Sequence, residues 1–239
     1  MAERAGQNLH RRQDHVGAHP DERDACARTE IAGGSVHCRM LRHRMSGSIK
    51  AIVYQAHGKP EEVLRLEEQE LPAVADDEAL VRVLAAPINP ADLNQIEGKY
   101  PIRAPLPATP GFEGAGVVEE VGSAVRDLVV GTQVILPHDL GTWREAAVVK
   151  AAKLVAVPND IAPEQAAMLK INPITAWRML HDFVRLEKDD WLIQNAANSA
   201  AGRAAIQISR ELGYRTVNVV RRKELIDELS AEGGLLRVG

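Results

Sequence analysis

A short run of basic side chains near the end of the chain has the composition and position expected of a phosphate-binding site. Arg221, Arg222 and Lys223 begin nineteen residues after Gly202. In proteins that bind NAD, an Asp or Glu at about this distance holds the ribose 2′-hydroxyl. Guanidinium groups match a 2′-phosphate instead, and this run has no carboxylate to repel one. The run predicts NADPH rather than NADH, and the alternative is a solvent-facing basic cluster.

The elements before this run could position a dinucleotide. An apolar strand is predicted at 191–194, a turn of small residues at 195–202, a helix ended by Gly213 at C′, and a strand at 216–220. Such a βαβ unit places a helix N-terminus under a pyrophosphate. Its glycine fingerprint is incomplete, because Ala197 and Ser199 occupy the two other glycine positions. An ordinary α/β domain is therefore the alternative.

The rest of the chain divides into stretches that differ in composition and hydrophobic pattern. Residues 1–48 hold eight Arg, no Lys and both Cys, and no hydrophobic period runs through them, so a disordered tail without targeting function is predicted. Residues 49–165 contain short apolar runs broken by Gly, Pro and Asp, which indicate a β-rich domain. Helices are predicted at 163–170 and 173–182. Residues 166–239 then form a partial nucleotide-binding domain, which gives an α/β fold class.

Composition excludes several classes of protein. The formal net charge of −4 argues against binding nucleic acid through its phosphates. No segment approaches the roughly 18 consecutive apolar residues of a membrane span. The only two cysteines, Cys26 and Cys38, cannot form a disulfide framework. A reduced, cytoplasmic protein is predicted, without a membrane or nucleic-acid partner.

Several motifs between residues 49 and 230 occur in a fixed order. They include Asn89-Pro90-Ala91-Asp92, Gly98-Lys99-Tyr100, Gly141-Thr142-Trp143-Arg144 and Asn172-Pro173, followed by the 194–202 turn and Asn218-Val219-Val220-Arg221. Together they resemble the zinc-free medium-chain dehydrogenase/reductases, and within these the mitochondrial-type trans-2-enoyl-thioester reductases. The resemblance implies a GroES-like catalytic domain followed by a Rossmann domain. It also implies a homodimer that transfers hydride from NADPH to an enoyl thioester of coenzyme A or acyl carrier protein.

The resemblance also implies roles for individual residues. Tyr100 matches a proton-donating tyrosine, and a phenol can stabilise the negative charge that develops on a thioester oxygen. Asn172 matches a cofactor contact; the alternative is an N-cap ahead of Pro173, and both roles can hold together. The remaining implied cofactor positions are Asn198, Ser199, Ala200 and Ala201 at the pyrophosphate, and Arg221, Arg222 and Lys223 at the 2′-phosphate.

No metal is expected at this site. Where metal-dependent relatives carry Gly-His-Glu, this chain has Gly111-Phe112-Glu113, and a phenyl ring cannot bind zinc. The 49–165 stretch also has no cysteine that could supply a thiolate. A zinc alcohol dehydrogenase is therefore excluded.

The end of the chain departs from the family pattern. After Leu229 the family's expected turn is replaced by 230–239, so only two strands of the Rossmann sheet are expected. A chain of this length is then expected to look like a truncated product and to lack activity, because nothing would hold the nicotinamide ring. Two alternatives remain besides an enoyl-thioester reductase: an NADPH:quinone reductase, and a non-catalytic fragment that binds nucleotide weakly or not at all.

Overall fold

The computed structural model describes residues 47–233 and 236–238. The tail predicted over residues 1–48 lies almost entirely outside this part, and Ser48 already begins the first strand. β1 (Ser48–Val53) pairs antiparallel with β2 (Arg65–Glu70). Ile49, Ala51 and Val53 alternate along β1 and are buried, as the period of two requires. Between the two strands, Pro60 opens the short helix α1 (Pro60–Val63).

The 75–159 region is built around a five-stranded antiparallel sheet. Its strands are β3 (Glu78–Ala85), β4 (Ala115–Val121), β5 (Gln133–Ile135), β6 (Ala146–Lys150) and β7 (Val155–Val157). Their order is β6-β3-β4-β5-β7. Small aliphatic side chains fill the core on one face, among them Val81, Val118, Val134 and Leu136. This sheet confirms the predicted β-rich architecture.

Three further helices follow strands of this region along the chain. They are α2 (Pro90–Ile96), α3 (Pro163–Ala167) and α4 (Asn172–His181), and each has Pro at its first or second position. Of these, α3 packs on the sheet itself. α2 was not among the helices expected from the sequence. Its signal is local, since Asn89 is the N-cap, Pro90 is the first helical residue and the Asp92 carboxylate accepts the Asn89 N–H.

The last part of the described chain is a parallel βαβαβ arrangement. It consists of β8 (Trp191–Gln194), α5 (Ala200–Leu212), β9 (Arg215–Val219), α6 (Leu225–Ala231) and β10 (Leu236–Val238). Gly213 ends α5 at φ 77°, as expected for a C-terminal glycine. The expectation of only two strands is wrong, because α6 leads the chain back and β10 pairs parallel with β9. The resulting order is β10-β9-β8.

α3 and α4 connect the five-stranded antiparallel sheet to the three-stranded parallel sheet along the chain. Ala166 and Ala167 of α3 are buried against Ala115 of β4, so α3 packs on the antiparallel sheet. α4 packs against α5. The division of the chain between residues 165 and 166 stays a prediction. No helix within the described residues is long and apolar enough to cross a membrane.

Candidate active site

Tyr100 lies in the turn that follows α2. The backbone N–H groups of Lys99 and Tyr100 both donate to the Asn94 carbonyl, at 2.8 and 3.0 Å, and Gly98 supplies the positive φ of 74° that the turn needs. The Tyr100 ring lies 5.1 Å from that of Phe112, and Phe112 in turn stacks on His138 at 4.4 Å. Packing therefore fixes the half-buried ring, while its hydroxyl has no hydrogen-bond partner among the described residues.

A buried polar cluster lies behind Phe112. The Asp92 carboxylate accepts the N–H of Phe112 at 2.9 Å and the N–H of Asn89 at 2.7 Å. The Asn89 side-chain amide donates to the Glu113 carboxylate at 2.9 Å. Asp92 and Glu113 are both fully buried. Burial raises the pKa of Asp92, against the opposing effects of its two backbone donors and of His138.

Glu113 connects this cluster to the start of α4. Its Oε1 accepts the backbone N–H of Ile171 at 2.7 Å, and its backbone carbonyl accepts the Thr142 hydroxyl. Lys170 lies beside this connection and donates to the Leu136 carbonyl at 3.2 Å. Burial lowers the pKa of Lys170, and the charges of Asp139 and Glu113 oppose that shift. Every oxygen of the Glu113 carboxylate thus has a donor.

Asn172 is the first residue of α4 rather than its N-cap. The N-cap position belongs to Ile171, and Pro173 is the second helical residue. The alternative N-cap role of Asn172 is therefore wrong by one position, because Asn172 already belongs to the helix. The N–H of the N-cap residue Ile171 donates to Glu113. The half-buried Asn172 follows directly after this anchored residue.

The turn after β8 leads into the capped N-terminus of α5. Ser199 caps α5, and its hydroxyl oxygen accepts the Gly202 N–H at 3.1 Å. Ala200 and Ala201 form the first turn, where backbone N–H groups have no partner within the helix and the helix dipole favours negative charge. A Cβ on Gly202 would lie 2.7 Å from the Ala197 carbonyl oxygen. The lone glycine of the motif is thus required for close packing of turn and helix.

Arg203 of α5 connects the same turn to α6. Its Nε donates to the Asn198 carbonyl at 3.3 Å, and its two terminal nitrogens donate to Glu228 and Glu232. The Glu228 hydrogen bond is the largest influence raising the pKa of Arg203. Three side chains to which the sequence assigned no role, Asp92, Glu113 and Arg203, therefore hold the segments that carry the predicted site residues. For Asp92 alone, the local Asn-Pro-x-Asp capping pattern could have indicated its role.

The basic run follows β9 directly. Arg221, Arg222 and Lys223 are exposed, and within the described part of the chain none of their side chains forms an ion pair. β8 and β9 are parallel neighbours, so the turns that follow them lie at the same edge of the sheet. The structure thus places the basic run and the 198–201 turn on one side. No direct contact joins them to Tyr100 in the described structure.

These features fit an anionic dinucleotide. The helix start supplies free N–H groups, a Cβ at Gly202 would collide with the turn, and the arginines at the sheet edge have no competing carboxylate partner. A metal site has no comparable support: within residues 47–233, no three His, Cys, Asp or Glu side chains are grouped as metal ligands are. Phe112 stacks on His138.

Comparison with known proteins identifies the family. Residues 75–159 match the alcohol dehydrogenase GroES-like domain. The chain is 47% identical over 183 residues to the mitochondrial enoyl-[acyl-carrier-protein] reductase of Rattus norvegicus, an alignment that covers 76% of this chain and 49% of the rat protein. The chain spans about half the length of the curated relatives it matches. Because those relatives are mitochondrial, the predicted cytoplasmic location is wrong.

Solved structures agree with this assignment. The Etr1p/NADP/crotonyl-CoA complex has a TM-score of 0.75 and 32% identity, covering 80% of this chain and 60% of that one. The Etr1p/Etr2p heterodimer from Candida tropicalis has a TM-score of 0.74, with the same identity and coverage. A putative NADPH:quinone reductase from Bacillus thuringiensis has a TM-score of 0.73 and 37% identity, covering 80% of this chain and 58% of that one. The chain therefore belongs to the medium-chain dehydrogenase/reductase family, as the α/β architecture and the sequence motifs predict.

Proposed function

We propose that this chain carries the proton-donating and adenosine-binding parts of an NADPH-dependent enoyl-thioester reductase. The observation that carries the proposal is Tyr100, a half-buried phenol whose ring is fixed against Phe112 and whose hydroxyl is uncommitted among the described residues. The similarity to mitochondrial enoyl-[acyl-carrier-protein] reductases supports the choice of substrate. A quinone reductase is the second candidate, supported by the Bacillus thuringiensis structure.

In this proposal Tyr100 acts on the substrate, and the other predicted site residues bind the cofactor. NADPH, when bound, supplies a hydride for the β-carbon of the enoyl thioester. The Tyr100 hydroxyl then donates a hydrogen bond or a proton to the negative charge that develops on the thioester oxygen and Cα. Asn172 contacts the cofactor. The N-terminal turn of α5, with Asn198, Ser199, Ala200 and Ala201, holds the pyrophosphate, while Arg221, Arg222 and Lys223 hold the 2′-phosphate.

Three further properties belong to the same proposal. The thioester carrier is coenzyme A or acyl carrier protein, the location is the mitochondrion, and the assembly is a homodimer. The name of the rat relative supports the first two, and the heterodimer of two similar reductases supports an assembly of two subunits. The division into a catalytic domain at 49–165 and a nucleotide-binding domain at 166–239 is proposed with them.

Cofactor preference tests the adenosine half of the site. We expect the full chain to bind NADPH at least about tenfold more tightly than NADH, because charge-assisted hydrogen bonds to one phosphate contribute about 1.5–3 kcal/mol each. Fluorescence titration with both cofactors measures this. The double variant Arg221→Ala/Arg222→Ala should lose the preference, whereas Arg185→Ala, which removes an exposed arginine before β8, should keep it. Equal affinities in the unaltered chain would contradict a 2′-phosphate site.

Substrate choice tests the catalytic half. The full chain is titrated with crotonyl-CoA and with a small quinone, and NADPH oxidation is followed at 340 nm in the same samples. Binding of crotonyl-CoA without binding of the quinone supports the reductase of enoyl thioesters. Oxidation of NADPH by the quinone alone would favour the second candidate. The same traces test the sequence-based prediction that a chain of this length does not turn over.

Tyr100→Phe tests the proton donor wherever crotonyl-CoA-dependent oxidation is measurable. The substitution keeps the ring and its packing on Phe112 and removes only the hydroxyl. A general acid contributes about 10²–10⁴-fold, so kcat should fall within that range while NADPH affinity stays constant. Tyr214→Phe, which removes a hydroxyl bonded to the Leu186 carbonyl, is the control. Unchanged turnover in Tyr100→Phe would show that Tyr100 is not the proton donor.

A further inference from the structure

Glu113 is a fully buried carboxylate with no cationic hydrogen-bond partner in the described part of the chain. It is fully shielded from solvent in the loop just before β4, next to Phe112. Burial of a charge is unfavourable unless hydrogen bonds satisfy it, and a well-packed apolar side chain would often stabilise a fold as well or better. A role in stability alone therefore does not explain a carboxylate at this position.

The two oxygens of this carboxylate reach two different helix starts. Oε2 accepts from the side chain of Asn89, the N-cap of α2, and Oε1 accepts from the backbone N–H of Ile171, the N-cap of α4. These partners lie 24 and 58 residues away in the sequence. α2 leads into the turn that carries Tyr100, and α4 begins with Asn172.

The adjacent residue reinforces the connection on the tyrosine side. Phe112 packs on the Tyr100 ring, and Asp92 of α2 holds the Phe112 N–H at 2.9 Å. A shift of Glu113 would thus move the Phe112 support and the N–H that positions Asn172 together. An amide at residue 113 could not replace it, since its NH₂ group would face one of the two donors.

We infer that Glu113 is a positioning residue, which fixes Asn172 for its contact with the dinucleotide relative to Tyr100. This inference rests on the proposed function, because Asn172 must touch the cofactor for its position to matter. Glu113 itself contacts neither substrate nor cofactor. Its effect is transmitted through the Ile171 N–H.

The test compares two ligands that occupy different parts of the site. NADPH extends over the whole dinucleotide site, whereas adenosine 2′-monophosphate reaches only the basic run after β9. Glu113→Gln should weaken NADPH binding by the full chain about tenfold, as loss of one well-oriented hydrogen bond does, and leave adenosine 2′-monophosphate affinity within about twofold. Asn172→Ala should do the same. The double variant Glu113→Gln/Asn172→Ala should be no weaker than either single variant, because both act on one contact.

Thr142→Val provides a matched control. It removes the hydroxyl bonded to the Glu113 backbone carbonyl and leaves the carboxylate contacts in place. It should lower the melting temperature without changing the ratio of the two affinities. Partial unfolding reduces both affinities equally, so the ratio separates positioning from stability. If Glu113→Gln does not fold, Glu113→Asp, which keeps both oxygens on a shorter side chain, is measured instead and should shift the same ratio.

The possible outcomes distinguish failure of the positioning role from failure of the proposed function. Equal loss of both affinities in the Glu113 variant, or additive losses in the double variant, overturns the positioning role. The positioning role also fails if Asn172→Ala weakens NADPH binding and the Glu113 variant does not. No effect of Asn172→Ala on NADPH overturns the cofactor contact of the proposed function and the inference with it. Absence of NADPH binding by the unaltered chain overturns the proposed function itself.

Discussion

At the scale of single residues, two opposing effects act on the pKa of Asp92. This residue is fully buried, which disfavours its charged form, yet two backbone N–H groups donate to its oxygens. Burial dominates and raises the pKa of Asp92 above its ordinary value of 3.8. Between the ordinary and the raised pKa, the folded protein binds more protons at this residue than the unfolded chain does. The contribution of Asp92 to the free energy of unfolding therefore decreases as the pH rises through that interval.

Comparison with Asp92→Asn isolates this effect. The variant does not titrate and is less stable at every pH, because its amide group faces a backbone donor. We expect the difference in unfolding free energy between the unaltered chain and the variant to narrow as the pH rises above 3.8. Urea unfolding at a series of pH values measures the difference. A difference that widens with pH would show that the two N–H groups outweigh burial.

At the scale of elements, Gly111 determines how closely the loop before β4 approaches the loop before β6. Gly111 has φ 106°, and a Cβ there would lie 2.4 Å from the Thr142 hydroxyl oxygen and 2.9 Å from the Thr142 backbone nitrogen. The Thr142 N–H donates to the Gly111 carbonyl at 3.1 Å. This close approach brings the Thr142 hydroxyl to the Glu113 backbone carbonyl, to which it donates a hydrogen bond.

Gly111→Ala should therefore destabilise the fold more than backbone strain alone explains. Gly131→Ala is the matched control, since Gly131 has a similar φ of 90° and no atom lies within 4 Å of the place that a Cβ would occupy there. A left-handed alanine costs about 1–2 kcal/mol, so Gly131→Ala should lose that amount. Gly111→Ala should lose at least about 1–3 kcal/mol more through the steric conflict. Thermal or urea unfolding of both variants measures these losses of stability. Equal losses in the two variants would contradict the steric role of Gly111.

At the scale of the whole molecule, one face of the parallel sheet carries exposed apolar side chains. Trp191 and Ile193 point to the same side of β8 and are 52% and 74% exposed, and Phe183 after α4 is 78% exposed. β8 is also an edge strand of the sheet in the described structure. Exposed apolar faces and unpaired edges both favour association between chains.

We therefore expect the full chain to self-associate at micromolar concentration, and Ile193→Thr to shift it toward the monomer. Threonine keeps the β-branched shape that suits a strand while reducing the exposed apolar area. Ile102→Thr is the control, because Ile102 is 75% exposed but lies in the loop after Tyr100. Sedimentation velocity measures the shift. A monomeric unaltered chain, or an equal effect of Ile102→Thr, would contradict the role of this face.

Local features of the amino-acid sequence determine much of the nucleotide-binding part. Gly213 ends α5, and the small residues before Gly202 allow the turn to pack against the helix. The signals for these elements lie within a few residues of the structure they specify, which is why they could be predicted. The α2 helix belongs to the same class, although its Asn89-Pro90 start was not recognised as a helix.

Only the tertiary structure decided how the predicted residues are held. Glu113 reaches partners 24 and 58 residues away, and Arg203 reaches Glu232 over 29 residues. No local pattern distinguishes these charged residues from solvent-exposed ones, since their partners become neighbours only when the sheets and helices pack. The third parallel strand arose in the same way, because residues 236–238 pair with β9 once α6 has returned the chain. Sequence specified the elements and several of their ends, whereas long-range packing selected which buried carboxylates and arginines position the site.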